Sequence, residues 1–181
     1  MLTLGVISDT HIPDRAKKLD PAARRIFQRA GVAAILHAGD VSYPRVLHQL
    51  EEIAPVYAVR GNRDWLALRT LPREIRLEFE GVRVGMAHGE GRIWNYLFDR
   101  VMYFLRGMRL EVYERRLLAA FPDEDVIVYG HTHRPVNRRV EGRLIFNPGS
   151  VHCPDEVEIP SVGLLHINGR NGVEGEIVYL N

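Results

Sequence analysis

Five short polar motifs carry most of the chemistry that this sequence can support. They are Asp9-Thr-His11, Gly39-Asp40, Gly61-Asn62-Arg63-Asp64, His88-Gly89 and Gly130-His131-Thr-His133. Their carboxylate, imidazole and amide groups are enough to ligate two metal ions that share a bridging carboxylate and leave an open edge for water and substrate. Because no thiolate is among them, these donors favour manganese, iron, zinc, nickel or magnesium over copper(I) or an iron–sulfur cluster.

Each motif lies at or just past the end of a short apolar run that has the composition of a strand buried on both faces of a sheet. The runs are Leu2 to Ile7, Ala33 to Leu36, Val56 to Val59, Val82 to Ala87 and Val126 to Tyr129. In open α/β sheets, ligands bind outside the carboxyl ends of the strands. We therefore expect the five motifs to converge on one site, although they are far apart in the sequence.

Two helices are predicted between the first three runs. The first begins at Asp20-Pro21, where aspartate can cap the first turn and proline fits within it, and it ends before Gly31. The second is expected from Pro44 to about Ile53, with Ser42 as its N-cap residue. Alternation of strands and helices indicates an α/β fold.

The second half of the chain is richer in antiparallel patterns. Alternating residues run from Glu74 to Phe79, turn at Glu80-Gly81 and return from Val82 to His88. Further hairpins are predicted around Glu141-Gly142 and around Asn168-Gly169. No repeat, linker or low-complexity tract divides the chain, so residues 1–181 are predicted to form a single domain.

The longest predicted helical stretch lies between Gly91 and Phe121 and is interrupted by Gly107. Much of it is apolar over more than one helix face. Three interpretations remain open, namely a helical pair packed on a sheet, a lid over the site, or a contact that forms a homodimer. We treat residues 92–121 as a helical insertion in the domain.

Composition narrows the class of protein. The 24 basic and 23 acidic residues give a formal net charge of +1, which argues against a broad nucleic-acid-binding face. Cys153 is the single cysteine, so no internal disulfide can form, and this fits a reducing compartment. No signal peptide is recognisable, and the apolar stretch from Ile93 to Leu105 is too short to span a membrane. We expect a soluble cytoplasmic protein.

Taken in order, the motifs Asp-x-His, Gly-Asp, Gly-Asn-x-Asp, His-Gly and Gly-His-Thr-His resemble those of the calcineurin-like metallophosphoesterases. The short chain and its Asn147-Pro-Gly-Ser150 segment are similar to the small bacterial and archaeal phosphodiesterases of that superfamily. The resemblance spans residues 1 to about 167. It implies a two-sheet β-sandwich flanked by helices, in αββα layers, with a dinuclear metal site.

Position by position, the resemblance implies two sets of metal ligands that share Asp40. One ion takes Asp9, His11, Asp40 and His133, and the other takes Asp40, Asn62, His88 and His131. Manganese is the expected metal, with iron, nickel, zinc and magnesium as alternatives. The implied reaction is hydrolysis of a small phosphoester, and first of all a phosphodiester, by a hydroxide that bridges the two ions. The residues assigned to catalysis are Asp40, Asn62, Arg63, Asp64 and His88.

Arg63 departs from the family pattern, because many members have a histidine here that is thought to protonate the leaving group. Arginine stays charged, so it can bind phosphate oxygens but has no proton to give at neutral pH. We therefore predict a preference for esters with good leaving groups. A structural ion pair is the alternative role for Arg63.

Other polar residues are assigned supporting roles. Asp64 is expected to orient a ligand histidine, or else to be a carboxylate of a surface turn. Arg134 and His152 are candidate substrate contacts, since Arg134 follows the last ligand and His152 follows the Asn147-Pro-Gly-Ser150 segment. His37 is expected inside a strand, as a core residue or as a neighbour of the ligands rather than as a ligand.

Two other functions remain compatible with the sequence. One is a non-catalytic protein-binding scaffold, because the same fold serves a eukaryotic trafficking complex with a degraded metal site. Every ligand position is filled in this chain, which argues against that function. The other is a nuclease or a protein phosphatase of the wider superfamily, although the extensions that such enzymes usually carry are not found in this sequence.

Overall fold

The computed structural model describes residues 1–13, 18–64, 68–91, 110–152, 159–169 and 172–180. Within these ranges the chain forms ten strands and three helices. In chain order they are β1 Leu2–Ile7, α1 Pro21–Ala30, β2 Ala34–His37, α2 Pro44–Glu51, β3 Val56–Ala58, β4 Glu74–Phe79, β5 Val82–Ala87, α3 Leu110–Ala120, β6 Val126–Val128, β7 Val136–Val140, β8 Arg143–Asn147, β9 Ser161–Ile167 and β10 Val173–Tyr179. The five strands predicted before the motifs are therefore confirmed.

The strands form two mixed sheets of five strands each, in the orders β10-β9-β1-β2-β3 and β4-β5-β6-β8-β7. In the first sheet, β1, β2 and β3 are parallel and β9 and β10 are antiparallel. In the second sheet, β5, β6 and β8 are parallel, and β4 and β7 add antiparallel edges. The parallel strands at the centre of each sheet all direct their carboxyl ends to one edge of their sheet.

Apolar side chains fill three layers, because neighbouring residues of a strand point to opposite faces of its sheet. Val6 lies in the layer between the sheets, and Ile7 lies in the layer beneath α1 and α2. Val126 likewise faces the layer between the sheets, whereas Ile127 packs with Leu117 of α3. Both sheets are thus covered on both faces, and the predicted αββα architecture is confirmed.

The local signals for α1 and for the hairpins are also confirmed. The Asp20 side chain accepts a hydrogen bond from Ala22 N at 2.7 Å, and Gly31 ends the helix in the left-handed conformation at φ 57°. The strand pairs β4–β5, β7–β8 and β9–β10 are all antiparallel. Capping and turn residues act over a few positions, which is why the sequence reveals them.

The predicted N-cap of α2 is wrong. Tyr43 occupies the capping position and its side chain makes no capping hydrogen bond. Ser42 adopts φ 67°, and its backbone N–H donates to Asp64 Oδ1 at 2.7 Å. Ser42 therefore belongs to the loop of the site, and this long-range contact overrides its local preference for capping. The helix ends at Glu51 instead of at about Ile53.

Residues 92–109 of the predicted helical insertion lie outside the described residues, as does Cys153. The described remainder of the insertion forms α3. The lid, the homodimer contact and the single-domain organisation stay predictions. Within the described ranges, no helix has the length and apolar character needed to cross a membrane.

Candidate metal centre

Polar motifs that follow strands of both sheets lie together at one site. In the first sheet, Asp9 follows β1, Asp40 follows β2 and Asn62 follows β3. In the second sheet, His88 follows β5 and His131 follows β6. The predicted convergence is confirmed for these motifs by the contacts that join them.

Backbone hydrogen bonds hold the loops of the site against one another. Asp9 N donates to Gly39 O at 3.0 Å, and His11 N donates to Asp40 O at 3.1 Å, so the loops after β1 and β2 are tied at two points. His131 N donates to Asp9 Oδ2 at 3.1 Å and thereby connects the second sheet to the first.

The ligands are presented by left-handed backbone, not by strand alternation. Six residues other than glycine have φ between 47° and 67° near the site, namely Asp9, His11, Asp40, Ser42, His131 and His133. In an extended strand, the Asp-x-His spacing would place Asp9 and His11 on the same side, but β1 stops at Ile7. Such backbone is uncommon in residues other than glycine, and its cost in free energy must be offset by the surroundings.

The two carboxylate oxygens of fully buried Asp9 have different surroundings. While Oδ2 is bonded to His131 N, Oδ1 faces three ring nitrogens. The distances from Oδ1 are 3.3 Å to His133 Nε2, 3.7 Å to His11 Nε2 and 4.0 Å to His88 Nε2. None of these, nor any other described donor, meets Oδ1 in hydrogen-bonding geometry. The oxygen is thus directed at a space surrounded by imidazoles.

His88 is buried and held in one ring orientation. Its Nδ1–H donates to Ala38 O at 2.7 Å, which leaves Nε2 to carry either a proton or a metal ion. Nε2 lies 3.6 Å from Asp40 Oδ1 and has no hydrogen-bond partner among the described residues. Burial disfavours the charged ring, but Asp40 and then Asp9 hold the pKa of His88 well above its ordinary value. A cation at Nε2 would replace that proton.

Asp40 presents its oxygens to two different histidines. Oδ1 accepts a hydrogen bond from Arg63 N at 2.8 Å and faces His88, whereas Oδ2 lies 3.9 Å from His11 Nδ1. Burial opposes ionisation, but the charge of His88 holds the pKa of Asp40 below its ordinary value. Burial likewise opposes ionisation of Asp9, and His133, His88 and His11 keep the pKa of that carboxyl low. Both carboxylates are therefore available as anionic ligands.

Two groups of described side chains are close enough to hold an ion each, with donor atoms within 4.8 Å of one another. They are Asp9, His11 and His133 in one group, and Asp9, Asp40 and His88 in the other. The groups share Asp9, whereas Asp40 is the shared ligand in the two sets that the resemblance implies. Both carboxylates lie between the groups, since Asp40 also contacts His11 in addition to His88.

Asn62 and His131 complete the second predicted ligand set. His131 Nδ1 lies 3.1 Å from Asn62 Oδ1, and the His131 and His88 ring centroids are 5.2 Å apart. Burial and then the charge of His88 lower the pKa of His131 to about 4. The Tyr113 ring of α3 lies 5.6 Å from the His131 ring. Tyr113 is not among the predicted site residues, because no motif surrounds it and its aromatic character within the insertion is the only signal for it in the sequence.

Two motif glycines are required by close approach. A Cβ at position 61 would collide with Asp40 Oδ1 and lie 2.5 Å from Asp40 N. A Cβ at position 130 would lie 2.8 Å from Asp9 Oδ2 and 2.9 Å from Ala38 O. The Gly-Asn and Gly-His pairs therefore bring neighbouring loops to within contact of the acidic residues.

The donor set fits a divalent cation. Asp9 Oδ1 and His88 Nε2 are buried polar atoms without a hydrogen-bond partner in the described part of the chain, and such atoms are rare in proteins unless a ligand binds them. Carboxylate oxygens and imidazole nitrogens are donors that manganese, iron, zinc and nickel accept.

Among the described residues, Asp64 forms no hydrogen bond to a histidine, so the expectation that it orients a ligand ring is wrong. Its carboxylate accepts backbone hydrogen bonds from Gly61 N at 2.8 Å, Ser42 N at 2.7 Å and Val41 N at 3.2 Å. Asp64 is fully buried, and this burial raises the pKa of its carboxyl despite the three donors. Asp64 therefore holds the loops that carry Asp40 and Asn62 rather than a ligand ring.

The candidate substrate contacts occupy different positions. Arg63 and Arg134 are exposed, each next to a predicted ligand in the sequence. His152 is half-buried close to Asp20 and the backbone of Lys18, at the entry to α1, and burial lowers its pKa. Its role as a substrate contact stays a prediction.

Known proteins are similar over nearly the whole chain. The sequence model of the calcineurin-like phosphoesterase superfamily domain matches residues 2–170. A protein of Methanothermobacter thermautotrophicus named probable metallophosphoesterase is 38% identical over 177 residues, which cover 98% of this chain and 92% of that protein. A phosphodiesterase of Methanocaldococcus jannaschii is 27% identical over 174 residues, which cover 91% of this chain and 92% of that enzyme.

Solved structures share the fold. Vps29 of Chaetomium thermophilum has a TM-score of 0.74 at 22% identity, with 98% of this chain and 96% of that chain covered. An archaeal phosphodiesterase has a TM-score of 0.70 at 24% identity, with 99% and 100% covered. These two likenesses concern the fold alone. Together with the match of the superfamily model, the 38% identity establishes that the chain belongs to the calcineurin-like phosphoesterase superfamily.

Proposed function

We propose that the chain is a metal-dependent phosphodiesterase that binds two divalent ions, with manganese as the expected metal. One observation carries the proposal. Asp9 Oδ1 and His88 Nε2 face each other across 4.0 Å, buried and without hydrogen-bond partners in the described ranges. An unpaired buried polar atom costs about 1–3 kcal/mol, and a bound cation would remove that cost for both atoms.

The ligand assignment follows the contacts of the site. One ion is assigned to Asp9, His11, Asp40 and His133, and the other to Asp40, Asn62, His88 and His131. The proposed bridging role of Asp40 is supported by its two oxygens, which face His11 and His88 respectively. Asp9 contacts His88 as well as the ligands of its own ion, so its buried charge lies close to both cation positions.

When bound, the two ions would lower the pKa of a water molecule and neutralise charge on the phosphoryl oxygens. The chain supplies positioning and solvent access. The side chains of Asp9 and His88 are buried, whereas the His133 side chain is 21% exposed to solvent and Arg63 is exposed. The substrate is therefore proposed to enter from the side of Arg63 and His133, and the exposed side chains of Arg63 and Arg134 are proposed to bind its phosphate oxygens.

A phosphodiester with a good leaving group is the proposed substrate class, because Arg63 stands where many family members have a proton donor. Arg63→His tests this directly. The parent should hydrolyse aryl phosphodiesters with strongly acidic leaving groups much faster than those with weakly acidic ones. The histidine variant should gain about tenfold or more on the poor leaving groups only, since general acids typically contribute factors of this size or larger. Equal rates for the parent across the series would contradict the proposed role of Arg63.

Metal analysis combined with an activity panel tests the function itself. The protein is stripped of metal and reloaded with Mn²⁺, Ni²⁺, Zn²⁺ or Mg²⁺, and turnover is compared on a phosphomonoester, an aryl phosphodiester, cyclic nucleotides and single-stranded DNA. We expect two ions for each chain and the fastest turnover on the aryl or cyclic diester. Two bound ions without turnover would favour a protein-binding scaffold, DNA cleavage would favour a nuclease, and absence of metal binding would overturn the proposal.

A further inference from the structure

His37 is a fully buried histidine at the last residue of β2, three positions before Asp40. It pairs with Ile7 of β1 on one side and with Ala58 of β3 on the other. The loops after these three strands carry ligands of both proposed ions. His37 therefore lies at the level of the sheet where all three loops begin.

Both ring nitrogens of His37 contact these loops. Gly39 N–H donates to Nδ1 at 3.3 Å, so Nδ1 must carry a lone pair. Nε2 then carries the hydrogen and donates to Thr10 Oγ1, also at 3.3 Å. Thr10 Oγ1 in turn donates to Val41 O at 3.1 Å. The resulting chain of hydrogen bonds starts in the loop after β2, crosses to the loop after β1 and returns.

The atoms that His37 holds are adjacent to the ligands. Thr10 separates Asp9 from His11, and Gly39 precedes Asp40. All three ligands have left-handed backbone, which costs roughly 1–2 kcal/mol for each residue and needs external support. Burial lowers the pKa of His37 to about 3, so the ring stays neutral and keeps one donor and one acceptor near neutral pH.

We propose that His37 is a positioning residue that fixes the loop of Asp9 and His11 against the loop of Asp40, and thereby sets the separation of the two cations. This inference depends on the proposed dinuclear site. The backbone bonds from Asp9 N to Gly39 O and from His11 N to Asp40 O join the same loops. His37 adds a side-chain connection that also fixes Thr10, the residue between two ligands.

Three substitutions of His37 distinguish the contribution of each hydrogen bond from the contribution of side-chain packing. His37→Asn keeps an acceptor near the position of Nδ1, His37→Gln keeps a donor near the position of Nε2, and His37→Leu keeps neither. His166→Leu is the matched control, because His166 lies on β9 of the same sheet and bonds to Thr3 and Glu176 instead.

Mn²⁺ titration by calorimetry and electron paramagnetic resonance measures the effect. The parent should bind two ions and show the signal of an exchange-coupled pair. Affinity should fall about tenfold in the Asn and Gln variants and about 100-fold in the Leu variant, the range typical for partners of metal ligands. The Leu variant should show uncoupled Mn²⁺, and kcat should fall more than KM rises. His166→Leu should match the parent.

Thermal melting of the metal-free variants identifies any that do not fold, and the conservative Asn and Gln variants then decide the question. Imidazole ¹⁵N NMR of the metal-free parent should place the His37 hydrogen on Nε2, and the opposite tautomer would contradict the inference. If the parent binds two ions and the His37 variants bind them equally well with coupled spectra, the inference fails while the proposed function stands. If the parent binds no ion pair, both fail together.

Discussion

Left-handed backbone occurs in two contrasting regions of this molecule, the hairpin turns and the metal centre. The turns Glu80-Gly81 and Glu141-Gly142 each have positive φ at both residues and connect antiparallel strands at the end opposite to the site. They are largely exposed, and nothing lies within 4 Å of a Cβ built on Gly142. These turns satisfy a local rule, since two-residue hairpins need this backbone twist.

At the metal centre the same conformation has a different cause. Asp9, Asp40 and His131 do not lie in two-residue hairpin turns, and none of them is followed by glycine. Their backbone N–H or neighbouring groups bond to residues far away in the sequence, as His131 N does to Asp9 Oδ2. The strain is therefore offset by tertiary contacts, and it places ligands where two sheets meet. The same backbone conformation can therefore be imposed by a local turn, or by long-range contacts that position functional side chains.

The largest expected difference between the regions comes from removing one side chain in each. Asp40→Ala should abolish binding of the ion pair and lower phosphodiesterase turnover by about a thousandfold or more, since the cations provide several kcal/mol of transition-state stabilisation. Glu141→Ala, at a residue of similar φ in a turn, should leave both unchanged. Metal content and kcat/KM after reloading measure this. Normal turnover of metal-loaded Asp40→Ala would refute the proposed site.

Lowering the pH should lower the free energy of unfolding of the metal-free protein, because His37 is buried in its neutral form. Burial lowers its pKa from 6.5 to about 3 in the folded protein, so the unfolded chain binds more protons between those pH values. The free energy of unfolding of the metal-free protein therefore falls as pH falls through this window, by up to about 3 kcal/mol at pH 4 from this group.

Urea unfolding between pH 7 and pH 4 measures that slope. His37→Gln should reduce the slope without removing it, because burial also lowers the pKa of His131 to about 4 and that ring gains a proton on unfolding in the same pH window. Identical slopes for His37→Gln and the parent would show that His37 is not held neutral by burial.

Substitutions at two glycines distinguish the effect of a steric collision from the effect of left-handed backbone. Gly61→Ala introduces a collision with Asp40 Oδ1, so metal affinity should fall about tenfold to 100-fold, as for other disturbances around ligands. Gly142→Ala has open space but φ 81°, so it should lower the free energy of unfolding by about 1–2 kcal/mol without changing metal affinity. Calorimetric titration and urea unfolding of both variants measure the two quantities, and equal metal affinities would contradict the contrast.

The smallest expected effect is a gain in stability on relief of strain. Ser42 has φ 67°, and its buried Oγ has no hydrogen-bond partner among the described residues. Ser42→Gly should raise the free energy of unfolding by about 1 kcal/mol, because glycine accepts this conformation and no hydroxyl remains unpaired. Glu80→Gly should give a smaller gain, since Glu80 is exposed and its replacement removes no unpaired buried hydroxyl. Chemical denaturation of the metal-free proteins checks the order, and a larger gain at Glu80 would reverse the interpretation.

Much of the fold follows from signals that extend over only a few residues. Asp20 and Gly31 bound α1 because capping acts within one helical turn, and the Glu80-Gly81 pair specifies its hairpin for the same reason. Ser42 misled the prediction because its backbone bonds to Asp64, and no local pattern contains that contact. The partners of Asp64 and the approach of Tyr113 to His131 were hidden for the same reason.

By itself, the sequence determined the chemical inventory of the site and the order of the strands that carry it, because residue types and apolar periodicity are local properties. Only the tertiary structure decided how Asp9, Asp40 and His88 face one another, since their loops come from two sheets. It also decided that left-handed backbone, held by hydrogen bonds between distant loops, presents these ligands. The contact from His131 N to Asp9 Oδ2, for example, joins residues 122 positions apart, and packing of the whole chain is needed to form such contacts.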